Sequence, residues 1–226
     1  MARQSKKNRR NLEKVPEKAS QVSEAVAALK QFEDAKFDES VELSMKLGID
    51  PKNSNQIVRG AFSLPHGIGK EVTVIAFCEG EAASGALEAG ALEAGGEELA
   101  QKVLDGWLGF DVAIAHPSMM RHVGKLGKLL GPHSKMPSPK SGTVTDDVVG
   151  AVKEFRAGKV EFRNDDHGNI HAVMGKKSFS AEQLTENIEA FIEHINVLKP
   201  TSTKGVYVRK AVISATMSPG IPLEVA

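Results

Sequence analysis

Apolar and polar residues alternate most regularly in the segment "FDESVELSMKLGI", where every second residue from Val41 to Leu47 is apolar. A period of two residues places one set of side chains on a buried face and the other on an exposed face, which predicts a half-buried β-strand. In the preceding segment "SQVSEAVAALKQFEDA", the apolar residues from Val22 to Phe32 recur at the three- and four-residue spacing of a helix. The beginning of the chain therefore predicts an amphipathic helix followed by a strand.

The middle of the chain has a different pattern. "EVTVIAFC" is a nearly continuous apolar run, which is typical of a strand covered on both faces. After it we predict a helix that ends within "ALEAG", a short strand or turn, a helix around "GEELAQKVLDG", a strand in "FDVAIA" and a helix through "PSMMRHVGKLGKLLG". Alternating strands and helices predict a βαβ-type unit with parallel strands.

The last third returns to shorter strands and one long helix. "KVEFRNDDHGNIHAVMG" predicts two strands joined as a hairpin by a polar turn. Ser180 and Gln183 fit a capping box at the start of a helix, Pro200 ends it, and "GVYVRKAVISATM" predicts a long closing strand. The apolar stripe of this helix is predicted to consist of Leu184, Ile188, Phe191, Ile192, Ile195 and Leu198.

These patterns predict an α/β (α+β) protein with two domains. The first is discontinuous and consists of residues 1–66 plus 157–226, and the second is inserted as residues 67–156. We place the boundaries at "LPHG" and "RAGK" because Pro and Gly are common where one domain ends and another begins. Two chain crossings at these joints predict a hinge on which the inserted domain swings.

Charge is divided unequally between the two predicted domains. The whole chain has a formal net charge of zero. The discontinuous domain has 20 basic and 17 acidic residues, a net charge of +3, and the insert has 9 basic and 12 acidic residues, a net charge of −3. If the partner is RNA, the discontinuous domain is the better candidate for phosphate contacts.

The basic beginning of the chain and its single cysteine bear on location. Five basic residues from Arg3 to Arg10 form either a solvated disordered tail or an arm that touches phosphates. No apolar core follows them, and no run approaches the ~18 apolar residues of a membrane span, so we expect neither a signal peptide nor a membrane. Cys78 lies in an apolar run and is predicted to be a buried, inert thiol in a reducing, cytosolic compartment.

The loop "GKLLGPHSKMPSPKSGTVT", residues 127–145, resembles a phosphate-binding loop in composition only. A Walker A motif needs backbone N–H groups around the phosphates, but Lys140 here follows Pro139, which has none. His167 and His171, with Asp165 and Asp166 before them, fit either a metal site or a hairpin turn followed by a strand, and the second interpretation is favoured. We assign no catalytic residue, cofactor or metal, and keep open an α/β protein that binds a small molecule through its middle domain.

Three stretches together carry a family resemblance: "AKFDESVELSMKLGIDPKNSNQIVRGAFSLPHGIGK", "VGKLGKLLGPHSKMPSPKSGTVT" and "EFRNDDHGNIHAVMGKKSF" with "KGVYVRKAVISATMSPG". In order and spacing the chain resembles the bacterial large-subunit ribosomal protein L-one family, the proteins of the mobile ribosomal stalk. The resemblance implies a split-βαβ two-layer domain built from both termini, and an inserted Rossmann-like three-layer domain without a nucleotide.

The resemblance also implies a function. It implies a cytoplasmic, ribosome-bound protein that binds large-subunit rRNA at the stalk and assists the release of deacylated tRNA from the exit site. It further implies repression of translation through the operon mRNA of the protein itself, and a monomer outside the ribosome. A protein that acts mainly as such a repressor off the ribosome remains the alternative within the RNA-binding class.

The family's RNA-contacting positions carry over to residues in three parts of this chain. They are Lys36, Phe37, Ser40, Glu42, Arg163, Asn164, Asp165, Thr216, Met217, Ser218 and Gly220. Lys36 and Arg163 are suited to phosphates, Phe37 to a base or, alternatively, to the core, and the polar residues to 2′-hydroxyls and base edges. Lys135 and Lys140 are further candidates for contact with tRNA or other RNA.

Two positions depart from the family pattern. The usual Thr-Met-Gly-Pro has Ser218 in place of its glycine, which would cost on the order of 1 kcal/mol if that position needed a positive φ. The usual Gly-Pro-Arg-Gly-Leu-Met-Pro-Asn-Pro-Lys loses its second glycine at Ser134, and its positive charge moves to Lys135. We expect this loop to be a proline-stiffened surface of the second domain.

Overall fold

The structure, a computed structural model, describes residues 6–16 and 18–224. The chain divides into two compact units. Unit 1 joins the residues up to Gly69 to those from Val160 onward, and unit 2 is Lys70–Lys159. That each unit is an independent domain with the boundaries predicted above stays a prediction.

Both units contain helices and strands. The helices are α1 (Lys6–Leu12), α2 (Val22–Lys30), α3 (Glu81–Glu88), α4 (Glu97–Leu104), α5 (Met120–Val123), α6 (Gly127–Leu130), α7 (Val148–Ala157) and α8 (Ala181–Val197). The strands are β1 (Ser40–Leu47), β2 (Arg59–Ser63), β3 (Val74–Phe77), β4 (Glu93–Gly95), β5 (Val112–Ala115), β6 (Lys159–Arg163), β7 (Asn169–Lys176), β8 (Val208–Ala215) and β9 (Ile221–Leu223). The mixed α/β class predicted from the sequence is confirmed.

Unit 1 is built on a four-stranded antiparallel sheet in the order β7-β1-β8-β9. The apolar residues of β1 are at most 1% exposed and join the core under α2 and α8, as the alternation predicted. The residues between them project from the opposite side of the sheet, which we call the outer face. Because helices cover only one side, unit 1 is a two-layer structure with one polar sheet face open to solvent.

The long helix α8 begins where the sequence indicated. The Ser180 hydroxyl accepts a hydrogen bond from Gln183 N, and the Gln183 side chain accepts one from Ser180 N, so the capping box is present. Leu184, Ile188, Phe191 and Ile195 of the predicted apolar stripe are buried, and Ile192 is partly buried against the same core. Leu198 is 38% exposed and does not belong to the stripe, because the helix has ended at Val197.

The two predicted strands and the polar turn between them are present as β6 and β7, but the prediction that they pair with each other as a hairpin is wrong. β6 pairs with β2 in a separate two-stranded sheet, and the two sides of the turn are linked by an isolated bridge between Asn164 and Ile170 and by hydrogen bonds between Asp165 and Asn169. The reason is that both the backbone and the side chain of Asn164 bind Val58, which draws the end of β6 toward the segment before β2. The short edge strand β9 was not predicted.

Unit 2 contains a parallel sheet in the order β4-β3-β5, as the alternating pattern indicated. All four residues of β3 are buried. Ile75 and Phe77 pack in a cluster with α4 and the segment 117–130, while α7 contacts β3 and β5 and α3 contacts α7. Helices therefore lie on both faces of the sheet, and Cys78 is buried at the end of β3.

The helix predicted through "PSMMRHVGKLGKLLG" is present but irregular. Two 3₁₀ turns, Pro117–Met119 and Gly124–Leu126, alternate with the short helices α5 and α6. None of the helices in the described part of the chain combines the length and the apolar character that crossing a lipid bilayer requires.

Candidate nucleic-acid interface

The predicted contact residues of unit 1 lie at both ends of β1. Ser40 begins the strand beside Thr216, and Leu47 ends it where its N–H binds Gly168 O, in the turn that starts at Asp165. At the rise of an extended strand the two ends are about 23 Å apart. We call the first the start cluster (Phe37, Ser40, Thr216 and Met217) and the second the turn cluster (Arg163, Asn164 and Asp165).

Hydrogen bonds across the sheet hold the polar part of the start cluster in place. Thr216 N donates to Ser40 O at 3.1 Å, and the Thr216 hydroxyl accepts from Ser40 N at 3.1 Å. The Ser40 hydroxyl accepts from the ammonium of Lys176 at 2.8 Å. Ser40 and Thr216 are therefore fixed relative to each other, so the surface is formed before any partner binds.

The buried carboxylate of Glu39 holds the backbone of the start cluster in place. Glu39 is 1% exposed, and its oxygens accept from Met217 N at 3.1 Å, Ala35 N at 2.9 Å and the Lys7 ammonium at 3.2 Å. Burial opposes ionisation of Glu39, but the N–H of Met217 and the Lys7 ammonium outweigh it and lower its pKa. Glu39 thus ties α1 and the segment before β1 to the residues after β8.

Two large apolar side chains are exposed on either side of this carboxylate. Phe37 is 55% exposed and Met217 is 58% exposed. The alternative that Phe37 belongs to the core is therefore excluded. Lys36, next to Phe37, is also exposed. Exposed aromatic and thioether side chains, with an exposed ammonium next to the aromatic residue in sequence, are suited to stacking with bases near a cation.

Ser218 does not carry the strain that its position suggested. Ser134 is the one non-glycine residue with a positive φ in the described ranges, 6–16 and 18–224, so Ser218 adopts an ordinary conformation. Its hydroxyl accepts from Ala215 N at 2.9 Å and closes the turn after β8. At Gly220, by contrast, an added Cβ would lie 2.6 Å from Val212 Cγ1, so a glycine is required there.

The turn cluster uses its polar groups internally. Asn164 is 8% exposed; its Oδ1 accepts from Val58 N at 2.9 Å and its Nδ2 donates to Asp165 O at 3.0 Å. Asp165 accepts from His167 N, Asn169 N and the Asn169 side chain at 2.7 to 2.8 Å. These bonds shape the turn, and this geometry counts against Asn164 as a direct RNA contact.

The pKa of Asp165 follows from the same bonds. The N–H of Asn169, the largest cause, together with its side-chain amide and the N–H of His167, lowers the pKa of Asp165 from 3.8 to about 2. Arg163, at the end of β6, remains exposed. Within the turn cluster, Arg163 is thus the residue available to a phosphate.

The outer face of the sheet connects the two clusters. Midway along it, a shallow recess of about 300 Å³ is lined by Ser44, Lys46, Asn169, His171 and Lys210, together with Met45 and Val212. The Ser44 hydroxyl and His171 Nδ1 are 3.0 Å apart, and Lys46 donates to His167 O. Glu42 is exposed between this recess and Ser40. The candidate surface is therefore polar and open along the exposed side of β1 rather than an enclosed pocket.

Sequence reasoning missed several residues of this surface. His171 and Lys210 were not predicted to take part, and Glu39 and Lys7 were not recognised as the supports of the start cluster. The alternation of β7 and β8 would have placed His171 and Lys210 on the outer face, but only the pairing register shows that His171 lies opposite Ser44 and Lys210 opposite Lys46, on the two sides of β1. No local pattern indicates the buried role of Glu39.

Most of the chain matches one known protein family. The model of the ribosomal protein L1p/L10e family matches residues 29–219. The chain belongs to the ribosomal protein L1p/L10e family. Members of this family are structural, non-enzymatic components of the ribosome.

Individual members of the family align over nearly the whole chain. Large ribosomal subunit protein uL1 of Clavibacter michiganensis subsp. michiganensis is 52% identical over 222 residues, which cover 98% of this chain and 97% of the relative. The protein of the same name from Kosmotoga olearia is 51% identical over 207 residues, 92% of this chain and 90% of the relative. The one from Maridesulfovibrio salexigens is 48% identical over 224 residues, 99% and 96% of the two chains.

The L1-family loop at residues 127–145 is ordered by its own side chains. Thr143 is 2% exposed, and its hydroxyl accepts from Ser138 N at 2.9 Å and lies 2.9 Å from the Ser141 hydroxyl. Lys135 donates to the carbonyls of Leu108 and Phe110, so its ammonium is turned inward rather than toward RNA. Lys140 is exposed.

The start of the chain and the histidines can also be placed. Lys7 binds Glu39 and Arg10 binds Glu33 from α1, so residues 6–12 are a docked helix rather than a disordered tail. Arg3 lies outside the described residues.

In the described part of the chain, no three His, Cys, Asp or Glu side chains come close enough to hold a metal ion. Burial raises the pKa of the Cys78 thiol.

Proposed function

We propose that this protein docks folded large-subunit rRNA on the outer face of unit 1. The observation that carries the proposal is the exposure of Phe37 and Met217, the second held by its N–H on the buried Glu39, at one end of a polar surface about 23 Å long. A small molecule does not span that length, whereas a folded RNA does. The open, pre-formed surface suits docking without catalysis.

Each part of the surface has a role in this proposal. Phe37 and Met217 pack against bases or riboses at the start cluster. Lys36, Lys210 and Arg163 neutralise phosphates along the length of β1. Glu42 and the Ser44–His171 pair accept and donate hydrogen bonds to 2′-hydroxyls, which distinguishes RNA from DNA.

The wider function is proposed from the family and the names of its members. The relatives are large ribosomal subunit proteins, and we infer that this chain is a ribonucleoprotein component of the large subunit in the bacterial cytoplasm. The finer roles are assistance in releasing deacylated tRNA from the exit site by stalk motion, and repression of its own operon mRNA. These two roles, the monomeric state outside the ribosome and the hinge between the domains all remain predictions.

Removal of the two exposed apolar side chains tests the docking proposal. Phe37→Ala/Met217→Ala takes away side chains that the core does not use, so stability should be retained while affinity for a stalk rRNA fragment falls at least ten-fold, since each lost stacking contact is worth about 1–3 kcal/mol. The matched control is Val197→Ala/Leu198→Ala, which removes two exposed apolar side chains at the end of α8. Equal affinity of the two double variants for the stalk rRNA fragment would contradict the proposed site.

A further inference from the structure

One face of the helical segment 117–130 in unit 2 is basic and has no counter-charge in its own stretch of sequence. Although the predicted insert has a net charge of −3, no acidic residue occurs from 112 to 145. Within this stretch Arg121, Lys125 and Lys128 follow one another at spacings of four and three residues, which place them on the same side of a helix. All three are exposed.

The opposite side of this segment anchors it firmly. Met119, Val123, Leu126 and Leu130 are each at most 3% exposed and pack in the core cluster of unit 2. The basic side chains therefore project from a fixed support. None of the ion pairs formed by the residues that the structure describes involves Arg121, Lys125 or Lys128. Their charges are available to an external anion.

Glycines on the same segment have no internal explanation. Gly124 lies between Arg121 and Lys128 on the exposed side, and Gly127 precedes Lys128. Both have ordinary helical φ, −57° and −54°, and an added Cβ would meet nothing within 4 Å at either position. Both glycines lie at junctions between the short helical turns, where their cost relative to alanine is at most about 1 kcal/mol. Neither backbone conformation nor packing requires them, but the close approach of a partner's backbone would.

We propose that Arg121, Lys125, Lys128 and the bare backbone at Gly124 form a second RNA-binding surface, which holds the phosphate backbone of an RNA duplex. The three side chains extend over about 10 Å of helix, which corresponds to about three phosphates along one strand. The absence of exposed aromatic side chains on this face favours a duplex over stacked single-stranded bases. The inference rests on the proposed function, because it adds a second contact to a protein that already docks RNA.

The surface is tested by neutralising its charges in the full chain. Arg121→Gln/Lys125→Gln/Lys128→Gln should weaken binding to a blunt RNA duplex of unrelated sequence about ten-fold at 50 mM salt, and reduce the salt slope by up to about three. Lys70→Gln/Lys102→Gln/Lys153→Gln removes the same number of charges elsewhere in unit 2 and is the matched control. Equal duplex affinity of the two triple variants would overturn the inference.

A parallel measurement separates this inference from the docking proposal. Arg121→Gln/Lys125→Gln/Lys128→Gln should keep its affinity for the stalk rRNA fragment within about two-fold, whereas Phe37→Ala/Met217→Ala should lose affinity for the fragment and keep its affinity for the duplex. If the double variant keeps the fragment, the docking proposal fails, and the duplex measurement still reports separately whether the basic face binds RNA.

Gly124→Ala tests the close approach of the RNA backbone. Alanine is the better helix former, so we expect a higher Tm together with about three-fold weaker duplex binding. A higher Tm with unchanged duplex binding would show that the glycine serves no contact, and would overturn this part of the surface.

Discussion

The start cluster and the turn cluster stand at the two ends of the same strand, yet they use their side chains in opposite ways. At the start cluster a buried carboxylate, Glu39, holds the backbone, and Phe37 and Met217 are left exposed. At the turn cluster Asn164 accepts from Val58 N and Asp165 accepts from backbone N–H groups of the turn, and only Arg163 is left exposed. Residues that occupy equivalent places in a family contact set can therefore be contacts in one case and supports in the other.

This difference has a consequence for mutational analysis. Loss of a contact lowers RNA affinity and leaves stability unchanged, whereas loss of a support lowers stability first. Measuring both quantities on each variant separates the two roles, and the two clusters should give opposite patterns.

The largest effect on stability is expected from Asn164→Ala. The substitution leaves Val58 N without its partner in a buried position, so the free energy of unfolding should fall by about 2–3 kcal/mol. Urea denaturation measures this loss, and Asn196→Ala, at an exposed asparagine near the end of α8, is the control. Weak RNA binding with unchanged stability would instead identify Asn164 as an RNA contact and would contradict the proposed difference between the two clusters.

A smaller, pH-dependent effect is expected from Asp165→Asn. Because the folded-state pKa of Asp165 is lowered from 3.8 to about 2, its ionised form stabilises the fold above pH 4, and that contribution disappears as the pH falls through about 2. The stability difference between wild type and variant should therefore be largest above pH 4 and shrink toward pH 2. Tm values measured across this range check the sign, and a constant difference would contradict the role of the carboxylate in the turn.

The smallest effect is expected outside both clusters, at Ser134. Its φ of 56° is unfavourable for any residue with a Cβ, so Ser134→Gly should raise the stability of the protein by about 1 kcal/mol without changing RNA affinity. Ser134→Ala keeps the Cβ and should give no such gain. A gain from alanine as large as that from glycine would mean that the backbone conformation is not the cause.

Local patterns predicted most of the elements of this fold. The period-two alternation of β1, the apolar run of β3 and the capping box of α8 are all signals contained in a few consecutive residues, and each was confirmed. β2, β9 and the separation of β6 from β7 were missed or wrong, because they depend on pairing between segments far apart in sequence, such as Asn164 with Val58.

The candidate site divides in the same way. The exposed side chains of the start cluster follow from the family resemblance, and the structure leaves them free. The buried support of Glu39, the inward turn of Lys135 and the strain at Ser134 depend on tertiary contacts or on φ, which residue identity alone does not give. Sequence thus indicates which residues belong to the surface, and geometry decides which of them a partner can reach.

The central claim is that RNA lies across the outer face of unit 1 from one end of β1 to the other. Lysine acetylation read by mass spectrometry, with and without the stalk rRNA fragment, tests it directly. We expect RNA to protect both Lys36, at the start cluster, and Lys210, in the recess, and to leave unprotected Lys14, which binds Gln31 O at the end of α2. Protection of Lys14 without protection of Lys36 and Lys210 would contradict the account.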